Sequence, residues 1–327
     1  MEMPKMSENS TNQVSISTER TLELRSLFNK KLMENFEKNN ARNLDLSLIW
    51  KETNDLRELY SQLDDLKKCL DSFRPLSENE VEILNDYFDI EYTYHSNKIE
   101  GNTLTKNETN LVINKGITVS GKTLIEHFEA VNHKEAIDYI RELVENNSDF
   151  SKMDLLNIHQ LILKSIKPKD AGRYRMQDVE ITGSRHTPPP HFLVNDLMEE
   201  YFRFYEENKN TIHPVELSAE MHERLVTIHP FIDGNGRTSR LIMNIILLKN
   251  GYPITIIDSE ERYRQEYYDS LELAQIGEDV NKERFKILVA KKVKDMMFKY
   301  INLLSSNNNE DRLTKGGYFF ERIKEIL

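Results

Sequence analysis

The sequence predicts an all-α fold carrying one small β-hairpin, and three observations support this. Glu and Lys are common, while Gly and Pro number only 11 and 9 in 327 residues, a mix that favours helices. Leucines recur at helical spacing, as in Leu22, Leu24 and Leu27, then Leu56, Leu59, Leu63 and Leu66. Helix-start pairs of the form Ser/Thr-x-x-Glu/Asp recur as well: Ser77 with Glu80, Thr105 with Glu108, Thr123 with Glu126 and Ser151 with Asp154.

In chain order, residues 1–19 are polar and rich in Ser, Asn and Thr, the pattern of a disordered terminus. Residues 20–75 read as a two-helix extension that Pro75 closes. A helix from about 78 runs to about 101, where Gly101-Asn102 stops it. Residues 169–192 differ. Gly172, Gly183 and Pro188-Pro189-Pro190 frame the β-prone Val179-Glu180-Ile181-Thr182, which reads as a hairpin and an extended arm. Helices resume at about 193–208 and 214–228. Ser305-Ser306-Asn307-Asn308-Asn309 opens a linker within 301–327, and a short apolar helix follows near Tyr318 to Leu327. Residues 76–300 therefore read as the main domain.

Charge and cysteine content narrow the function. The net charge of −11 argues against a nucleic-acid backbone or an anionic membrane as the main partner, and leaves room for a small basic phosphate pocket. One cysteine, Cys69, excludes an internal disulfide; its leucine-rich surroundings read as a buried structural thiol in a reducing compartment. No apolar run reaches the ~18 residues of a membrane span. The first residues lack the apolar centre of a secretory signal. The expectation is a cytoplasmic protein.

The segment from His229 to Asn244 carries the chemistry. Leu217, Met221, Leu225 and Ile228 mark an amphipathic helix leading into it. Pro230 ends that helix at His229. Asp233-Gly234-Asn235-Gly236 is turn chemistry whose glycines let backbone N–H groups converge on a ligand. A helix that is apolar almost all round, and so central, begins near Arg237. Its polar members Arg237, Arg240 and Asn244 share one face. Free amides, a positive dipole end and two guanidinium forks make an anion site. Asp233 can hold Mg2+, and His229 can take a proton near neutral pH. The set fits phosphoryl or nucleotidyl transfer.

The segment resembles the signature of the Fic family, His-x-Phe-x-Asp/Glu-Gly-Asn-Gly-Arg-x-x-Arg, and matches every fixed position. The resemblance extends from about residue 86 to 287, and stretches 91–104 and 225–253 are most similar to the metazoan branch. It implies a Fic-type helical core and an adenylyltransferase that moves AMP from Mg-ATP to a Ser, Thr or Tyr hydroxyl of a protein. It further implies His229 as general base, Phe231 as the loop's core anchor and Asp233 as the Mg2+ ligand. The N–H groups of Gly234, Asn235 and Gly236, with the Asn235 side chain and Arg237, would cradle the α- and β-phosphates, and Arg240 would reach the γ-phosphate. The intact Gly236 favours AMP transfer over the kinase variant of the family.

Ser96-Asn97-Lys98-Ile99-Glu100-Gly101 resembles the family's inhibitory pattern, placed here ahead of the signature. It implies a bidentate Glu100–Arg240 pair that removes the γ-phosphate's partner. Residues 176–192 resemble the flap that aligns a target segment by strand addition, with Thr182, Gly183 and His186 near the target. Tyr174-Arg175 reads as structural. Tyr267 and Tyr268 would border adenine, and Gln275 stands where relatives often carry Asn. The resemblance also allows a homodimer. Two rival functions use the same residues: removal of AMP from a modified protein, and a regulatory module that holds nucleotide without chemistry. His95, His127, His133, His159, His191, His213 and His222 show no zinc-ligand spacing.

Overall fold

The computed structural model describes residues 18–39, 44–277, 279–306 and 315–326. Among them lie twelve α-helices and no strand. In chain order these are α1 (Thr18–Asn39), α2 (Leu56–Asp71), α3 (Glu78–Ile99), α4 (Lys106–Lys115), α5 (Leu124–Glu145) and α6 (Lys152–Leu163). Then come α7 (Val194–Asn208), α8 (Pro214–Ile228), α9 (Asn235–Lys249), α10 (Glu261–Ile276), α11 (Asp279–Ser306) and α12 (Gly317–Arg322). The chain divides into two compact units, one of residues 1–51, 68–75 and 301–327, the other of residues 52–67 and 76–300. The expected disorder of residues 1–17 and most of the linker at 307–314 lie outside the described residues.

In the first unit, aromatic packing joins chain segments far apart in sequence. Phe319 and Phe320 of α12 are fully buried; the Phe319 ring lies 5.5 Å from Phe28 and 5.6 Å from Phe73. Gly316 donates its N–H to Ser72 at 2.9 Å. It sits at φ 84°, and a Cβ there would meet the Phe73 ring at 2.3 Å, so only glycine fits. Cys69 is buried, as expected of a structural thiol.

In the second unit, local sequence decides where helices begin. Each expected start closes as a capping box: Ser77 N–H donates to Glu80 at 2.9 Å, Thr105 to Glu108 at 2.7 Å, Thr123 to Glu126 at 2.8 Å and Ser151 to Asp154 at 2.9 Å. His213 caps α8 through Val215 N–H, with Pro214 at its first position. The apolar α9 is central, packed on α3, α5, α6 and α8. Leu241, Ile242, Met243 and Leu247 are fully buried on it. Its buried Asn244 exchanges two hydrogen bonds with the backbone of Thr255, at 3.0 and 2.7 Å. No helix among the described residues is long and apolar enough to cross a membrane.

The predicted β-hairpin at 176–192 does not form. Ser184 N–H bonds Ile181 O at 3.1 Å across a turn with Gly183 at φ 80°, but the two arms do not pair. Other elements hold them. Arg185 N–H donates to Glu272 of α10, His186 Nε2 donates to Thr227 O at 2.9 Å, and Pro189 O accepts from Arg175. Pro188, Pro189 and Pro190 have no N–H to offer a ladder.

Candidate active site

The site is built where α8 turns into α9. Pro230 stops α8, and His229 takes the left-handed conformation at φ 51°, ψ 57°. That conformation costs a non-glycine residue about 1 kcal/mol. Arg175, which is buried, holds it: Nε donates to His229 O at 2.8 Å, Nη1 to Gln177 O at 3.0 Å, and its backbone N–H to Pro230 O at 2.9 Å. His229 Nδ1 lies 3.3 Å from Val226 O. A carbonyl only accepts, so Nδ1 carries the proton and Nε2 keeps its lone pair. Burial pushes the His229 pKa below its ordinary value; the Val226 bond opposes this and the Arg175 charge adds to it. The imidazole is neutral at pH 7.

The loop beyond is braced from inside. Phe231 is fully buried and stacks on His159 with centroids 3.6 Å apart. His159 Nδ1 accepts from Gly172 N–H and Nε2 donates to Asp233 O, both at 2.9 Å. Burial pulls the His159 pKa down to about 4. The Asn235 amide is spent on Phe231, accepting its N–H at 3.0 Å and donating to its O at 2.9 Å. This corrects the expectation for that side chain, which leaves only its backbone N–H for an anion. Gly234 sits at φ 78°, where a side chain would be strained.

Three charged residues of the signature are already paired. Asp233 Oδ2 accepts from Lys167 Nζ at 2.6 Å; Oδ1 accepts from Gly234 N–H at 2.6 Å and Arg237 Nη2 at 3.3 Å. Burial opposes Asp233 ionisation, but Lys167 and Arg237 outweigh it and hold the carboxyl below its usual range. Arg237 also donates to Glu129 at 3.0 Å. Arg240, 1% exposed, donates through Nη2 to Glu100 Oε1 at 2.7 Å and to Ser96 O at 2.8 Å, and through Nε to Ser96 Oγ at 3.0 Å. Burial works against the Arg240 charge, and Glu100 more than restores it, raising the pKa.

The Glu100–Arg240 contact is therefore one-pronged and not the expected bidentate fork: Ser96 takes Nε and shares Nη2, and Nη1 faces the Tyr267 hydroxyl. Glu100 itself ends α3. A Cβ placed on Gly236 would lie 2.5 Å from Glu100 Oε1, so the carboxylate rests on the first turn of α9. The first amide bonded within that helix is Thr238 N–H, to Gly234 O at 2.9 Å. The amides of residues 235–237 are left at its positive end.

A cleft of about 490 Å³ opens here, bounded by His229, Gly236, Arg240, Glu100, Thr182 and Gly183, with Tyr268, Glu272 and Gln275 on its far wall. Hollows of about 580 and 590 Å³ lie elsewhere, between α3 and α5 and beside α10 and α11, and neither gathers a base, an acid and helix-end amides. Tyr268 is 41% exposed and donates to Ile99 O at 3.1 Å. Tyr267 also lines the cleft but is 1% exposed, and its hydroxyl sits between Arg240 Nη1 at 3.4 Å and His222 Nε2 at 3.0 Å, so it supports the guanidinium. His186 is turned to Thr227 O and does not line the cleft.

A family model for the Fic/DOC family matches residues 149–247. Fic-1 of C. elegans superposes with a TM-score of 0.68 at 30% identity, over 76% of this chain and 72% of that one. The chain belongs to the Fic/DOC family. A Fic-domain signalling protein from Bacteroides thetaiotaomicron superposes at 0.67 with 25% identity, over 79% of this chain and all of its own. Proteins named protein adenylyltransferase Fic are 39% identical over 189 residues in Drosophila yakuba and 37% identical over 193 in Nematostella vectensis, each match spanning 58% of this chain. This chain spans only 37% and 44% of those two relatives.

Within this Fic core, four contributors escaped sequence reasoning. Lys167, Glu129 and His159 reach the signature loop from other elements, and no spacing rule links them to it. Arg175 was legible only as structural, yet it grips the base's own backbone.

Proposed function

We propose that this Fic protein is an adenylyltransferase that moves AMP from ATP onto a hydroxyl of another protein and is held back by Glu100. The observation that carries the reading is the occupied anion site. The chain's own carboxylate packs over Gly236 in the first turn of α9 and pairs with Arg240, beside a neutral imidazole. A site that binds one anion this way suits a phosphate once Glu100 withdraws. The naming of the curated relatives as protein adenylyltransferases supports the same reading.

The proposed chemistry follows from the residues in place. ATP enters with its phosphates on the amides of residues 235–237 and its γ-phosphate on Arg240. The far wall, with Tyr268 and Gln275, takes the nucleoside. The target hydroxyl attacks the α-phosphorus as His229 Nε2 takes its proton; the new O–P bond forms and the bond to pyrophosphate breaks. Thr182 and Gly183 overhang the cleft where a target segment would lie. Asp233 suits Mg2+: it is an ionised carboxylate in the loop that leads into α9, and no group of three or more His, Cys, Asp or Glu among the described residues could hold a metal alone. Such a site leaves the other ligands to phosphate and water. Bound Mg2+ neutralises phosphate charge.

The test is label transfer from adenine-labelled ATP to full-length protein carrying Glu100→Gly. Labelled protein is expected, and adding His229→Ala abolishes it. Nucleotide binding without label transfer by the Glu100 variant would show a regulatory module instead.

A further inference from the structure

We infer that Lys167 is a tethered stand-in for the divalent cation: its ammonium occupies the cation's place on Asp233 until metal arrives with nucleotide. This rests on reading Asp233 as the metal carboxylate, and it concerns a residue outside the signature. The geometry around Asp233 points to it. Gly234 N–H and Arg237 occupy Asp233 Oδ1, so Oδ2 is the edge left for a cation, and Lys167 Nζ is on it at 2.6 Å.

The lysine also rises from a fixed base. Its N–H bonds Leu163 O at 2.9 Å, and its O accepts from Asp170 and Ala171 N–H at 3.0 and 3.1 Å. Pro168 follows it and restricts its backbone. The side chain is 45% exposed, so the ammonium can swing into water with little loss. An ammonium is a compact point charge, closer to a metal ion than a planar guanidinium fork is.

Charge gives the order of events. Asp233 is already flanked by Lys167 and Arg237. Replacing the monovalent ammonium with a divalent ion adds positive charge there, which phosphates offset and empty solvent does not. The ion therefore enters with nucleotide and binds poorly alone. Without metal, Lys167 supplies part of the charge that phosphates need.

The test uses full-length protein carrying Glu100→Gly, with and without Lys167→Ala. Calorimetry measures the affinity for an ATP analogue with a methylene α–β bridge, in EDTA and across a Mn2+ titration. Removing the lysine should weaken binding in EDTA by about twofold to fivefold, the scale of one half-exposed ion pair, and lower the Mn2+ needed for half-maximal effect by a similar factor. The metal's enhancement of nucleotide affinity should rise accordingly. Lys167→Arg should keep the EDTA affinity. An unchanged or smaller enhancement in Lys167→Ala overturns the proposal. Asp233→Asn in the same titration should abolish the enhancement; if it does not, the reading of Asp233 fails, and the lysine proposal with it.

Discussion

Glu100→Gly gives the most informative perturbation. Glu100 donates nothing to the core; its side chain is 32% exposed and it makes one 2.7 Å contact to Arg240. A hydrogen bond between charged groups contributes about 1.5–3 kcal/mol, and discounting for the solvent on Glu100 leaves about 1–2 kcal/mol. ATP must displace that contact, so its removal should tighten ATP binding by about 5- to 30-fold, at 1.4 kcal/mol per factor of ten. Arg240 is left buried, but Ser96 and Tyr267 still hold it. The nucleotide-free variant should therefore lose only about 1–2 kcal/mol of stability, less than a fully orphaned buried charge would cost. Calorimetry gives the affinity, and thermal unfolding with and without ATP gives the linked stability. Glu100→Gln, which keeps the volume over Gly236, should recover only part of the gain. Equal ATP affinity in wild type and Glu100→Gly would refute the reasoning.

Gly236→Ala should fold with an unchanged or slightly lower midpoint, since its Cβ displaces Glu100 Oε1, 2.5 Å away, from Arg240 and the helix propensity of alanine offsets only part of that loss; it should also lose ATP binding because the methyl covers the anion site; a scan and a titration on one sample check both. The rate of label transfer should rise with pH through an acid limb below pH 6.5 and then level, because His229 acts as a base in its neutral form and burial lowers its pKa; a limb above pH 6.5 would contradict this. Arg175→Met should reduce kcat by about 10- to 100-fold with a smaller change in the KM for ATP, because Arg175 holds the His229 carbonyl and touches no phosphate ligand; steady-state kinetics separate the two.

Local signals in the sequence proved legible. The four capping boxes depend on residues three apart, and α9 announced its central position by being apolar almost all round. Ser96 and Glu100 were visible through the resemblance of residues 96–101 to the inhibitory pattern. Long-range competition was not visible. Val179-Glu180-Ile181-Thr182 has strand propensity, but Arg175, Glu272 and Thr227 O claim the arms before they can pair. The Asn235 amide and the Tyr267 hydroxyl went to partners that only the folded chain supplies. Lys167 lies 66 positions from Asp233, beyond any periodicity.

The position of the transferred label tests the central claim most directly. Full-length protein carrying Glu100→Gly is incubated with ATP labelled at the α-phosphate or at the γ-phosphate. Nucleotidyl transfer from the α9 site predicts protein-bound α-label, none from the γ-position, and one pyrophosphate per modification. Protein-bound γ-label, or α-label that survives His229→Ala, would contradict it.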